Sequence, residues 1–269
     1  MAPYLRSAQT KQTIIDTACR LFYEKGYTAA TVRQICAQSG LSVSRVNYHF
    51  SSKADLAGVI CGQFFHNFIQ QLRRAIGSRN SYSVVNEAIA LRFLVQMMLA
   101  DPETDPFSRF YREIAREGIL TETFSEVNRQ IFSEKAKASM LPGTPLNPAR
   151  LEVYSRIYAA ALPAAIQSWD QVLVQCGGDQ KQALSQLQDV FVTLFMQMLD
   201  YEHHIQQGIL DLSRACYARM DVEAVSLTEV RIHLTGPVSE QDKKGRFAAV
   251  LATLSQMENA PLSKFQQHP

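Results

Sequence analysis

Residues 31–56 read TVRQICAQSGLSVSRVNYHFSSKADL, and the fold turns on how this stretch is parsed. Thr31 is an N-cap type, and Gln34 three positions on completes a capping box, so a short helix opens here. Val32, Ile35 and Cys36 form its inner face, and Ser39-Gly40 ends it, because Gly40 takes a left-handed turn without steric cost. Ser42 is the N-cap of a second short helix. There Val43, Val46 and Phe50 fall at i, i+3 and i+7 and are expected inside, which turns Ser44, Arg45, Asn47 and Tyr48 outward. Ser52 with Asp55 makes another capping box and opens a long helix to about Ile76, lined by Phe64, Phe65, Phe68 and Leu72.

Two short helices joined by a tight turn, with an apolar inner face and an outer face of short polar and basic groups, make a helix-turn-helix. The outer face of the second helix fits the major groove of duplex DNA. Arg45 has the reach for the O6 and N7 acceptors of guanine, and Asn47 for adenine; Tyr48, His49 and Lys53 sit where phosphates would pass. The same residues also allow a plainer reading, with Arg45 and Lys53 solvated, Tyr48 packed on the first helix of the chain and His49 a core or capping residue.

Upstream, Ile14, Ala18, Leu21, Phe22 and Lys25 form one apolar stripe with a snorkelling end, and Gly26 stops that helix. Charge follows the same division. Residues 1–60 hold seven basic and three acidic side chains, a net +4, which leaves −2 for the remainder of a chain whose total is +2. A basic head on a mildly acidic body suits a polyanionic partner for the head alone.

The run from Thr31 to Leu56, with Ala18, Leu21, Phe22, Gly26 and Tyr27 upstream, resembles the DNA-binding signature of the TetR family of repressors. The string Tyr-His-Phe-x-x-Lys-x-x-Leu at 48–56 is its most specific part. The resemblance implies that Thr31 lies on a phosphate and Arg33 near a base. It further implies that Val43, Ser44, Arg45, Asn47 and Tyr48 face the groove, and that His49 and Lys53 hold phosphate. Two positions depart from the family pattern: Asn47 stands where an aromatic is usual, and Cys36 where Ala is usual. Val43 is pulled two ways, inward by its spacing and to the groove edge, against a thymine methyl, by the resemblance.

Beyond Ile76 nearly every periodic segment reads as helix, and the expected fold class is all-α. Residues 77–83 read as a loop; helical patterns follow at about 84–100, 103–117, 121–140, 147–176 and 181–207, with turn chemistry at Asp101-Pro102, Pro142 to Pro145 and Gly177 to Asp179. Val230 to Leu234 alternates like an isolated strand, about Glu240 to Met257 reads as a final amphipathic helix, and the last dozen residues look frayed. The expected organisation is a helix-turn-helix domain over residues 1–56, a helical ligand-binding and dimerisation domain over 57–207, and a C-terminal extension of open role over 208–269.

The resemblance implies that the segments 147–176 and 181–207 pair with their copies in a homodimeric four-helix bundle. Ile157, Ala161, Leu162, Ala165, Ile166 and Trp169 serve on the first helix, and Leu187, Val190, Phe191, Leu194, Phe195 and Met198 on the second. Such a dimer reads a near-palindromic site in double-stranded DNA. Phe93, Met97, Phe107, Phe110, Tyr111, Phe124, Phe132, Tyr154, Tyr158 and Trp169 are material for an apolar effector pocket between helices, though aromatics at helical spacing are more often plain core. Phe93, Met97, Phe110, Tyr111, Phe124, Tyr158 and Trp169 are the candidates singled out for a small-molecule effector, whose binding would change the separation or tilt of the two heads through the long helix 53–76.

Other classes find little support. No nucleotide-binding, hydrolase or H-x-x-x-H pattern occurs, so no catalytic residue, cofactor or metal is expected. His203 and His204 are adjacent on a helix and point about 100° apart, which prevents one ion from taking both from one face. The five cysteines are odd in number and lack C-x-x-C spacing, which predicts buried thiols in a cytoplasmic protein. The N-terminus shows no apolar signal core, and no stretch approaches the roughly 18 apolar residues of a membrane span. The reading is a repressor released by a small apolar ligand. A transcriptional activator, or a nucleoid-associated or division-linked DNA-binding protein on the same fold, stands as the alternative.

Overall fold

A computed structural model describes residues 3–76, 83–138, 148–198, 201–236, 245 and 247–258. Among these are eleven helices and one two-stranded hairpin. The three head helices are α1 (Pro3–Lys25), α2 (Val32–Ser39) and α3 (Val43–His49). Then come α4 (Lys53–Ile76), α5 (Ser83–Leu99), α6 (Pro106–Arg116), α7 (Ile119–Ala138), α8 (Pro148–Gln175), α9 (Gln180–Met198) and α10 (His203–Tyr217). The hairpin strands β1 (Met220–Ala224) and β2 (Val230–Leu234) follow, and α11 (Ala248–Glu258) closes the described chain. The expected loop 77–83, up to its last residue, and the turn Pro142 to Pro145 lie outside the described residues, as does the first part of the expected 240–257 helix.

The caps are those of the sequence, with one displaced by a residue. Thr31 Oγ1 accepts the Gln34 N–H at 3.3 Å while Gln34 Oε1 accepts the Thr31 N–H at 2.9 Å, closing the capping box of α2. Gly40 sits at φ 69° and ends that helix. At α4, Ser52 Oγ accepts the Asp55 N–H at 3.0 Å, but Asp55 Oδ2 reaches the Ser51 N–H at 3.0 Å instead of that of Ser52. Val46 and Phe50 are buried as expected, whereas Val43 is 48% exposed, which overturns its inward reading. Val43 is the first residue of α3, one turn ahead of the buried Val46, so periodicity alone misplaces it.

Ile14, Ala18, Leu21 and Phe22 of α1 pack with Ile35, Val46, Phe50, Leu56 and Ile60 in the head, and α4 carries this core without a break into the body. In the body, α5 is buried almost all round, from Ala88 to Val95. It holds Arg92, only 1% exposed. The guanidinium donates to Asp189 Oδ1 on α9 at 2.8 Å and to Ser213 Oγ on α10 at 3.1 Å, and the Arg92 carbonyl accepts from Gln188 Nε2 at 2.9 Å. Burial lowers the pKa of this arginine while Asp189 offsets the effect.

Two sequence expectations change. The single helix expected over 181–207 is two, α9 and α10, parted at a buried Tyr201. The Tyr201 N–H donates to the Met196 carbonyl at 3.2 Å, and Gln206 Nε2 satisfies the Tyr201 carbonyl at 2.6 Å, so the break is sealed by hydrogen bonds and carries no Gly or Pro signal. The strand Val230–Leu234 is not isolated: Met220–Ala224 pairs with it antiparallel, from Met220 opposite Leu234 to Ala224 opposite Val230. Helix α10 packs along α5.

Candidate nucleic-acid interface

The head presents one surface of the required kind. Ser42 Oγ accepts the Arg45 N–H at 3.3 Å and starts α3; the buried Val46 and Phe50 anchor its inner side. Ser44, Arg45 and Asn47 are then exposed, and Tyr48 is 81% exposed. The plainer reading of Tyr48 as packed on α1 therefore does not hold; its ring meets that of His49 edge-on at 5.1 Å. His49 is half-buried at the end of α3. Thr31 and Arg33 are exposed at the start of α2, with the Thr31 hydroxyl engaged in its cap.

Lys53 is placed differently from the solvent-facing residues. Its Nζ donates to the carbonyls of Tyr27 at 2.9 Å and Ala30 at 3.1 Å and lies 4.1 Å from the Tyr27 ring centroid. The ammonium thus closes the α1–α2 turn onto the start of α4. With three donors, it retains one N–H beyond the two carbonyls.

The body grips the head through residues that the sequence did not single out. Arg109 on α6 donates to the α1 carbonyls Tyr23 O at 2.9 Å and Glu24 O at 3.3 Å, orphan acceptors at a helix end. One turn on, Glu113 accepts the Thr28 N–H at 2.7 Å. Nothing local marks these residues: the partners lie 85 or 86 positions apart.

The effector candidates are distributed through the core. Rings run in contact from Phe22 on α1 to Phe110 at 5.7 Å, Phe110 to Tyr111 at 5.2 Å, Tyr111 to Phe65 at 6.4 Å, Phe65 to Phe124 at 4.9 Å, and Phe124 to Tyr158 at 6.1 Å. Tyr158 then meets Phe191 and Phe195 of α9. Phe110, Tyr111, Phe124 and Tyr158 are thus brought into one aromatic chain. Phe93 lies apart against Tyr217 at 4.7 Å, Met97 is buried on α5, and Trp169 and Tyr154 are half-buried on α8. Phe107 stacks between Phe64 and Tyr111, and the side chain of Phe132 lies outside the described residues. A groove of about 1000 Å³ opens elsewhere, between α4 and α7. Its walls include Val59, Phe65, Ile69, Ile119 and Val127, with carboxylates at Asp55, Glu117, Glu122 and Glu126; none of the seven effector candidates lines it, and Phe65 joins it to the aromatic chain.

Comparison with known proteins bears on this surface. The family model for bacterial regulatory proteins of the tetR family matches residues 14–60. The probable HTH-type transcriptional regulator YttP of Bacillus subtilis (strain 168) is 26% identical over 112 residues, which cover 41% of this chain and 53% of YttP. The HTH-type transcriptional dual regulator CecR of Shigella flexneri is 37% identical over 65 residues, covering 24% of this chain and 28% of CecR. The matches therefore span about half or less of these relatives. Among solved structures, the crystal structure of RolR in complex with resorcinol is similar in fold, with a TM-score of 0.50 at 15% identity over 78% of this chain and 95% of that one. No helix among the described residues is long and apolar enough to cross a membrane.

Proposed function

This chain belongs to the TetR family of bacterial regulatory proteins, and from that premise we propose that it is a transcriptional repressor, binding a near-palindromic operator as a homodimer and leaving it when a small apolar ligand binds. The observation that carries the reading is the α3 face, where Ser44, Arg45, Asn47 and Tyr48 stand in solvent over a buried Val46. Arg45 reads guanine, Asn47 adenine, and Val43 a thymine methyl. Tyr48, His49, Thr31 and the remaining donor of Lys53 hold phosphates, with Arg33 beside a base.

The homodimer is supported by an apolar stripe that is exposed among the described residues. On α8, Val153, Ile157, Ala160 and Ala164 are exposed at i, i+4, i+7 and i+11, and Val190 is 60% exposed on the adjacent α9. The small residues Ala160 and Ala164 of this stripe let two helices approach closely. Pairing the stripe with its copy sets two α3 helices about 34–36 Å apart, one turn of duplex.

The effector reading is supported by the groove between α4 and α7. A ligand there leans on Phe65, and through Phe65 on the ring chain that ends at Phe22 in the head. It releases DNA only insofar as it binds the released arrangement more tightly.

The test is selection of duplexes from random DNA by the intact chain, followed by a map of bound chromosomal sites. A short near-palindrome at a few promoters is expected. No duplex binding at low ionic strength overturns the regulator reading, and many scattered sites turn it toward a nucleoid-associated factor. Reporter output at the bound promoters separates repression from activation. Competition between the selected duplex and Nile red, a neutral apolar dye, tests the effector arm; a dye that binds without weakening the DNA complex counts against it.

A further inference from the structure

The C-terminal hairpin does not hang from the body. It reaches back to α4, the helix that carries the head core into the body. The Thr228 carbonyl, in the turn joining β1 to β2, accepts Asn67 Nδ2 on α4 at 2.9 Å across 161 residues of chain. Leu227 beside it is fully buried in the common core, and Val230 is buried as β2 runs along α4. The turn itself is stiff: Ser226 Oγ accepts the N–H groups of Thr228 at 3.2 Å and Glu229 at 3.1 Å, and Val225 N–H donates to the Glu229 carbonyl at 2.9 Å.

The other end of the hairpin is equally fixed. The Thr235 N–H closes its base on the Arg219 carbonyl at 2.8 Å, directly after α10. Arg214 of α10 donates to both oxygens of Asp189 on α9, which Arg92 also holds. On its outer side α10 packs against α11: a Cβ at Gly208 would stand 2.6 Å from Val250 Cγ2, so the Val250 side chain sits directly on the bare α10 backbone.

We propose that the β1–β2 hairpin is a strut that positions the DNA-reading head, with Asn67, Leu227 and Thr228 as positioning residues. The inference rests on the DNA-binding reading above. A head joined to the body by α4 alone can pivot about that helix. Arg109 and Glu113 hold the C-terminal end of α1, and Thr228 holds α4 at Asn67, below the head. Attachment at α1 through α6 and at α4 through the hairpin removes the pivot. The strut also starts from α10, and so ties the head to α9, whose exposed Val190 belongs to the proposed dimer stripe. Head orientation is thereby referred to the dimer interface by a route independent of α6.

The test uses the full-length chain and, as probe, the duplex selected by the unaltered protein. Asn67→Ala removes one donor from an exposed side chain, and Leu227→Ala opens space beneath the turn. Each is expected to weaken probe binding about tenfold, an ordinary coupling magnitude. The salt dependence stays unchanged because no phosphate contact is lost. Amide hydrogen exchange rises in α1 and the first half of α4, while α5 keeps its protection. Leu227→Met refills the volume and restores both readings. The proposal is overturned if hairpin amides exchange freely in Leu227→Ala while α1 stays protected and probe affinity stays within about twofold, a fraction of a kcal/mol. If Leu227→Ala yields too little folded protein, Asn67→Ala carries the test alone. A chain that binds no duplex fails the regulator reading instead; the exchange comparison of α1 then decides the strut by itself.

Discussion

Glu113 on α6 accepts the backbone N–H of Thr28 at 2.7 Å, and the Glu113 side chain lies where a Cβ on Gly26 would stand, 2.8 Å from Oε1. The turn after α1 and the carboxylate of α6 are fitted to each other. Gly26 supplies both the positive φ of 83° and the empty space. A charge-assisted hydrogen bond of this kind is worth about 1.5–3 kcal/mol when desolvated, and less here because Glu113 is half-buried.

Glu113→Ala should therefore lower unfolding stability by about 1 kcal/mol and loosen the α1–α2 turn, while Glu113→Gln, which keeps a side-chain acceptor, should lose less. Urea midpoints with hydrogen exchange at Thr28 check this. Equal losses from the two variants would mean that the acceptor does not matter.

Two glycines with similar φ make a contrast. Gly26→Ala and Gly40→Ala both place a side chain at positive φ, at a cost of about 1–2 kcal/mol each. Nothing lies within 4 Å of a Cβ at Gly40, whereas Gly26→Ala must also displace Glu113. The Gly26 variant should be the less stable of the two, and Glu113→Ala should cost less when added to it than it does alone. Indistinguishable thermal midpoints would refute the close fit.

Arg45→Ala should relax base preference at one operator position and cost about 1–3 kcal/mol of specific binding, with folding stability unchanged because Arg45 is exposed. Lys53→Ala should weaken binding to all sequences alike and flatten the salt slope by about one unit. It should also lower the melting temperature, since its ammonium ties Tyr27 and Ala30. Losses from Arg45→Ala that ignore sequence would remove it from base reading.

Arg92→Ala leaves Asp189 with Arg214 but strips Ser213 and the centre of the body of their donor. Removing one member of a buried pair costs about 3–5 kcal/mol, and the surviving Arg214 contact places this case at the lower end. Arg92→Met, which fills the space, should recover part of the loss. Chemical denaturation of the two variants decides, and a stable Arg92→Ala protein would show the network to be dispensable.

Stability should decline in alkali. Burial raises the Cys19 thiol from 9.0 to about 12, and it pushes up the Cys61 thiol and the Tyr111 and Tyr158 hydroxyls in the same direction. Unfolding frees these groups to ionise at ordinary values, so above the ordinary thiol value of 9.0 the unfolded state binds fewer protons than the folded one. The stability is complete below 9.0 and is lost as pH climbs toward about 12. Denaturation midpoints measured on either side of pH 9.0 should differ in that sense; a flat profile would mean that these thiols and hydroxyls are not sealed from water.

What could be read without coordinates was whatever depends on neighbours a few residues away. The capping box of Thr31 and Gln34, the stop at Gly40, the inward Val46 and the outward Arg45 follow from helix periodicity and backbone stereochemistry. Local rules were weakest at element ends, and they misplaced Val43 and missed the break at Tyr201, which has no Gly or Pro to announce it. Only the tertiary structure decided where the long-range polar bonds go: Glu113 to Thr28, Lys53 to the Tyr27 carbonyl, Arg92 to Asp189, Asn67 to Thr228. A helix face shows that a side chain is turned inward or outward, but a hydrogen bond across 85 or 161 residues depends on how whole helices dock. That docking is a sum of many apolar contacts, and no short stretch of sequence contains it.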